Sequence, residues 1–364
     1  MRHRFHSICP YFAMFPETFV EKHLAASKFD GVVLDPFCGR GTTVFESLIC
    51  GRQSAGCDIH PVAACVTGAK CDSPTWLEVI HRLSELEAEC QEARIISDIG
   101  ELEEFFSLCF APDTRRQVQF LRHKLNWRSD RTDRFVAALC LGALHGESHR
   151  SPNYFSNRMP RTISTKAAYS VRWWRRHSCE PPNRDAFSIL RHMAGFRYKT
   201  PPPPMRGEAV LSDARDAAST FQHLKGRVTD IITSPPYLDT TNYREDQWLR
   251  LWFLGEKASD RQQAGDGRHY HLDRYCSFLE EAWTGLRGLL DEAVRIVIRI
   301  GGRRLGKDEA KDVLHRSLNT GLGRSVRLVD AGVSSQPKRS QANAFRGARP
   351  SPTVEHDFCF SLDG

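Results

Sequence analysis

Residues 31–43 read GVVLDPFCGRGTT, and few folds accommodate that wording. GVVLD has the length and composition of a short buried strand ending in Asp35. A turn with glycines at 39 and 41 follows, and VFESLIC then spaces its apolar residues as a helix does, up to Gly51. QSAGCD, residues 53–58, is a second short strand that also ends in an acid. Strand, glycine turn, helix and strand open a βαβ unit, which belongs to a parallel sheet covered by helices.

The alternation stops near residue 72 and resumes after 205. Residues 75–109 and 114–146 space their apolar residues as helices do, whereas 150–180 mix Pro, Asn, Ser, Arg and Trp without a clear period. TPPPPM, residues 200–205, is a stiff polyproline linker. After it come a short element in EAVLSDARD, a helix near 214–226, the strand VTDIIT, a helix near 243–254, a glycine-rich loop at 264–268, a helix over 272–290 and the buried strand AVRIVIRIG. Apolar stretches at 326–330 and 354–360 complete a sheet. The expectation is one α/β domain made of 1–72 and 205–364, interrupted by a largely helical insertion, 73–204.

Charge separates these parts. The chain carries 51 Lys/Arg against 44 Asp/Glu, a net +7 that is unremarkable for 364 residues. Residues 75–109, however, hold nine acids and two bases, and 110–205 hold eighteen bases and six acids. A concentrated basic block suits a polyanionic partner. The twelve cysteines include no C-x-x-C pair. Cys50, Cys65, Cys109 and Cys140 sit in apolar company, which argues against zinc and redox sites and for a reducing, cytoplasmic setting. No apolar run is long enough to span a membrane, and the proline-broken N-terminus is no secretory signal.

The glycine turn is a candidate ligand cradle. Gly39 and Gly41 let a ligand approach the backbone, and the helix they open attracts anionic groups. Asp35 lies where open α/β sheets bind ligands and can take an ammonium group, while Thr42 and Thr43 offer hydroxyls and N–H groups to a carboxylate. Asp58 follows the turn at the spacing of an acid that holds ribose hydroxyls. A nicotinamide enzyme would use the same features.

A second stretch, DIITSPPYL, residues 230–238, asks why a buried strand ends in Ser234, two prolines and Tyr237. Proline has no N–H and cannot pair in a sheet. Pro235 precedes a proline and is therefore held extended, with no local donor competing for its carbonyl. Ser234 Oγ and that carbonyl are two acceptors fixed before any substrate arrives, and Tyr237 offers a flat face for stacking.

LDPFCGRGTT resembles motif I of the amino-group DNA methyltransferases, and TSPPY resembles their motif IV. ICPYFAMFPETFVEKHL, residues 8–24, resembles motif X at Phe15 and Pro16, and LSDARD resembles motif III at Asp213. The resemblance covers about 1–72 and 205–364. It implies a Rossmann-like S-adenosylmethionine methyltransferase sheet with helices on both faces. It implies S-adenosyl-L-methionine as cofactor, held by Phe15, Pro16, Asp35, Pro36, Phe37, Gly39, Gly41, Thr42, Thr43, Asp58 and Asp213. It implies methyl transfer to the exocyclic amine of a base flipped from double-stranded DNA, with Ser234, Pro235, Pro236 and Tyr237 catalytic. Serine at the head of motif IV favours cytosine N4 over adenine N6. Cys9 precedes its proline, so the Pro-Cys element of cytosine-C5 chemistry is absent.

The insertion lies where this family carries target recognition. Arg158, Arg161, Lys166, Arg172, Arg175 and Arg176 are interleaved with Tyr169, Trp173 and Trp174, as phosphate and base contacts require. Lys338 and Arg339 are further candidates in a late basic loop. Trp248 and Trp252 are expected in the core. A cognate restriction endonuclease is a partner this family admits. The rival readings are an RNA guanine-N2 or adenine-N6 methyltransferase and a non-catalytic DNA-binding protein.

Overall fold

The computed structural model describes residues 2–11, 15–93, 102–147, 152–159, 166–238, 247–257, 271–302, 305–330, 332–335 and 354–363. The chain divides into two compact units. One holds Phe12–Thr67, Pro203–Thr241 and Asp266–Gly364; the other holds Met1–Tyr11, Gly68–Pro202 and Asn242–Gly265.

The first unit is built on a sheet. Its main strands are β1 (Val32–Asp35), β2 (Ser54–Asp58), β3 (Glu208–Leu211), β4 (Val228–Thr233), β5 (Leu290–Gly302), β6 (Val326–Asp330) and β7 (Val354–Leu362). Their order is β3-β2-β1-β4-β5-β7-β6, and the two-residue strand Ser334–Ser335 also pairs with β7. β3, β2, β1, β4 and β5 run parallel, and β7 lies antiparallel to both β5 and β6. The chain builds outward through β1, β2 and β3, then returns to lay β4 on the other side of β1. That reversal is a topological switch point, where the carboxyl ends of an open sheet leave a crevice.

Alternate residues of each central strand face opposite cores. Val32, Leu34, Ile231, Ile296, Ile298, Phe358 and Phe360 pack with helices Leu272–Thr284 and Lys307–Leu322. Val33, Ile232, Val297 and Cys359 pack with Phe19, Val20 and Leu24 of helix Glu17–Ala25. Burial on both faces explains why these strands read as continuous apolar runs. The result is a Rossmann-like sheet with helices on both faces, as expected.

Several expected elements changed length. The helix foreseen over 272–290 ends at Thr284, and β5 starts at Leu290. The 214–226 helix is broken into Ala214–Asp216, Ala217–Thr220 and Gln222–Leu224. Of the helix foreseen near 243–254, Trp248–Phe253 is described. Helix Lys307–Leu322 was not foreseen, although its buried Ala310, Val313, Leu314, Ser317, Leu318 and Gly321 have helical spacing.

The second unit is helical. Helices Trp76–Glu92, Glu103–Cys109, Pro112–Lys124, Arg131–Ala143, Ala167–Arg176, Ala186–Arg197 and Trp248–Phe253 carry it, with one parallel two-residue bridge between Gly146–Glu147 and Arg158–Met159. Thr75 and Glu78 form a capping box, and hydrogen bonds from Thr75 hold the Glu78 carboxyl down at about 2. Phe105, Phe106, Trp174, Trp248 and Trp252 form an aromatic core. The N-terminal segment belongs here because Ile8 lies against Gly142, where a Cβ would come within 2.3 Å of the Ile8 carbonyl oxygen. Buried Arg250 donates to the Leu141 and Pro10 carbonyls and to Gln247 Oε1. Among the described residues no helix is long and apolar enough to cross a membrane.

Candidate active site

The glycine turn is shaped by what surrounds it. Gly39 and Gly41 have φ of +50° and +72°, the left-handed region that favours glycine. At Gly41 a Cβ would also sit 2.4 Å from Thr67 Cγ2. Thr67 in turn clamps the loop, donating from Oγ1 to the Gly39 carbonyl at 2.9 Å. The loop is tied to β2 by Cys38 N, which donates to Cys57 O at 3.0 Å.

Two carboxyl groups flank this turn. Asp58, at the end of β2, accepts from Gly39 N at 2.9 Å and His60 N at 2.8 Å, and burial pushes it up to about 6. Asp35, at the end of β1, is 2% exposed and accepts from Thr233 Oγ1 at 2.6 Å and Phe37 N at 3.1 Å. Burial pushes Asp35 up to about 7 even though both hydrogen bonds pull it down. Two carboxyls so poised suit a cationic ligand, whose charge would favour their ionised forms.

Thr233 is the last residue of β4, so its bond to Asp35 joins the two sequence motifs. Ser234 and the prolines start one residue further on. Ser234 and Tyr237 are half-buried and Pro235 is buried. Tyr237 Oη lies 3.5 Å from Ser234 Oγ and donates to Glu355 Oε1 at 3.2 Å. Burial, with the Glu355 carboxyl beside it, holds the phenol well above its ordinary value. The ring lies against Gly301, where a Cβ would be 3.1 Å from Tyr237 Cε2.

The remaining expected residues fall into several groups. Thr42 starts helix Thr42–Ile49 and is buried behind the turn. Thr43 is wholly buried, donates its hydroxyl to the Ile232 carbonyl at 2.9 Å, and also acts on the Asp35 carboxyl, so it ties helix to sheet beside the acid. Phe15 packs on Phe19 inside the core, and Pro16 is the exposed N-cap of helix Glu17–Ala25. Phe37 meets the edges of Phe278 and Trp283, with buried Pro36 before it. Asp213 lies just past the carboxyl end of β3, but its carboxylate is forked by Arg215 at 2.7 and 3.0 Å.

In the helical unit, Arg158, Lys166, Arg172, Arg175 and Arg176 are exposed. Tyr169, Arg172 and Arg176 form an outward stripe on helix Ala167–Arg176, whereas Trp174 is buried and donates to the Arg158 carbonyl at 2.9 Å. Arg175 pairs with Glu104. Arg161, Lys338 and Arg339 lie outside the described residues.

Sequence reading missed Glu355, Arg299 and Asp357. The signal was present: Arg299 is a charge inside the apolar run RIVIRIG, and residues 355 and 357 alternate on one face of VEHDFCF. Arg299 forks Asp357 at 2.6 and 2.8 Å and stacks 4.2 Å over the Phe19 ring. Among the described residues no cluster of His, Cys, Asp and Glu could hold a metal ion.

Residues 3–66, which include helix Glu17–Ala25, the glycine turn and both carboxyl-bearing strand ends, match the family model described as DNA methylase. Over this segment the chain is similar to the DNA methylase family. The methylase match does not separate cytosine N4 from adenine N6, and it stops short of Ser234. No curated protein matches the chain. Two structures of the rRNA methyltransferase aviRa from Streptomyces viridochromogenes are similar at low level. One, at 1.5 Å, has 12% identity and a TM-score of 0.33 over 96% of this chain and 87% of that one. The other, at 2.4 Å, has 11% identity and a TM-score of 0.31 over 96% and 88%.

Proposed function

We propose that the chain is a DNA methyltransferase that moves a methyl group from S-adenosylmethionine to the exocyclic amine of a flipped base, cytosine N4 being favoured and adenine N6 the alternative. The observation that carries this reading is the Thr233–Asp35 hydrogen bond, which joins the acid-headed glycine turn to the Ser-Pro-Pro-Tyr corner across adjacent strands.

The residues fit the cofactor better than a dinucleotide. Gly39 N, the donor a pyrophosphate would need, is already given to Asp58. A diphosphate would also meet carboxyl groups at Asp35 and Asp58, whereas an ammonium group and ribose hydroxyls are complementary to them. Asp35 would receive the ammonium group, the start of helix Thr42–Ile49 the carboxylate, and Asp58 the ribose, through acceptor sites its two present hydrogen bonds leave over. When bound, the cofactor supplies a methyl carbon activated by a sulfonium.

The chain's own work is to make a poor nucleophile attack. A base amine delocalises its lone pair into the ring. Ser234 Oγ and the Pro235 carbonyl accept its two N–H groups and favour the pyramidal nitrogen that attacks. Flipping the base costs about a few kcal/mol, and stacking on Tyr237 offsets roughly 1–3 kcal/mol of it. The exposed Tyr169–Arg172–Arg176 stripe supplies phosphate and groove contacts.

Modification-sensitive sequencing of genomic DNA from a host expressing the protein tests this reading. Methylated amines at a defined site, absent with Ser234→Ala, are expected. Methyl groups found in RNA and not in DNA would overturn it.

A further inference from the structure

We propose that Glu355 is the terminal proton acceptor for the reaction at Ser234, reached through the Tyr237 hydroxyl. This rests on the methyl-transfer reading above, and goes beyond it because that reading leaves the amine's proton without a destination inside the protein.

A newly methylated amine carries one proton too many. Ser234 Oγ can take that proton only by giving up its own. Tyr237 Oη lies 3.5 Å from Ser234 Oγ, and Tyr237 donates onward to Glu355 Oε1 at 3.2 Å. The amine proton moves to Ser234 Oγ, the serine proton to Tyr237 Oη, and the tyrosine proton to Glu355. The N–H bonding pair stays on nitrogen. Ser234 and Tyr237 end as they began, and Glu355 ends neutral and loses its proton to water before the next cycle.

The surroundings keep Glu355 basic. Glu355 pairs in register with Gly301, whose missing side chain lets the Tyr237 ring lie against β5. The groups facing Glu355 are Tyr237 from the turn, Arg299 from β5 and Asp357 on its own strand, with His23 of helix Glu17–Ala25 acting on Asp357. Arg299 commits its two short hydrogen bonds to Asp357 and reaches Glu355 Oε2 only at 3.5 Å. Asp357 therefore absorbs most of the guanidinium's neutralising effect. Burial raises the Glu355 carboxyl above its ordinary range, in the direction a proton acceptor needs.

Glu355→Gln and Tyr237→Phe test the relay; the second keeps the ring packed on Gly301. Single-turnover transfer to duplex DNA is followed against pH, with cofactor and DNA affinities measured alongside. Both variants are expected to lose about 10²-fold in rate and the wild-type rise with pH, at unchanged affinities. Independently of turnover, carbon-13 titration of Glu355 in the protein alone should show a higher midpoint in Tyr237→Phe, which removes a donor to the carboxylate. Wild-type rates and pH profiles in both variants, with an unmoved midpoint, would overturn the relay alone. No transfer by the wild type to any nucleic acid would overturn the underlying reading and the relay with it.

Discussion

Asp35 illustrates what a buried carboxyl group costs the folded protein. Its carboxyl titrates near 7 when folded against an ordinary 3.8. Between about pH 4 and 7 the folded chain holds a proton that the unfolded chain has lost. The stabilisation is complete below that window and fades as pH rises through it, a change on the order of a few kcal/mol. Asp35→Asn should therefore melt higher than wild type at pH 8, approach it near pH 4, and bind S-adenosylmethionine far more weakly. Parallel melting curves at both pH values would contradict the assignment. Ser234→Ala removes one acceptor at the reacting amine and should lower the transfer rate by about 10²–10³-fold with cofactor affinity unchanged. Asp35, Asp58 and Ser234 stood out in the sequence because the first two end apolar strands and the third directly follows one. Thr43 shows what spacing leaves open, since its hydroxyl reaches the Ile232 carbonyl while the side chain also bears on Asp35. Glu355 was missed because strand pairing with Gly301 and a hydrogen bond from Tyr237, both far earlier in the chain, are what bring it to Ser234.

Among the elements, β4 is pinned at its middle as well as at its Thr233 end. Asp230 is fully buried, pairs with Arg52 at 2.8 Å and accepts from Ser27 Oγ at 2.7 Å. Arg52 follows helix Thr42–Ile49 and also donates to the Gly31 carbonyl at the head of β1. One ion pair thus sets the register of the two strands whose far ends make the site. Asp230→Ala leaves Arg52 without its partner and should cost about 3–5 kcal/mol in denaturant unfolding. Gly41→Ala combines a left-handed backbone, worth about 1–2 kcal/mol, with the Thr67 contact, and should damage cofactor binding more than stability. The strands were legible because burial on both faces leaves unbroken apolar runs. The helices between 61 and 322 were less so: Lys307–Leu322 alternates charges with its apolar face, and the break at 214–224 comes from three short turns that periodicity alone does not resolve.

For the whole molecule, the helical unit holds the exposed basic stripe and the sheet unit holds the glycine turn and the Ser-Pro-Pro-Tyr corner. Neutralising Arg172 and Arg176 together should weaken binding to all duplexes and reduce the slope of log affinity against log salt by about 2, since each phosphate contact contributes about 0.9. Loss at one sequence alone would instead assign those arginines to base reading. The basic block was legible from charge counting, but its exposed residues were not separable by sequence from Trp174, which is buried on the same helix, or from Arg175, which Glu104 engages. The proposed function depends above all on the Ser-Pro-Pro-Tyr corner acting on a base amine. Tritiated-methyl transfer from S-adenosylmethionine to duplex DNA by the purified protein, with the labelled nucleoside identified after digestion, measures that directly. Label in N4-methylcytosine or N6-methyladenine, lost in Ser234→Ala, is the predicted result; label in RNA alone, in a ring carbon, or undiminished in Ser234→Ala would contradict it.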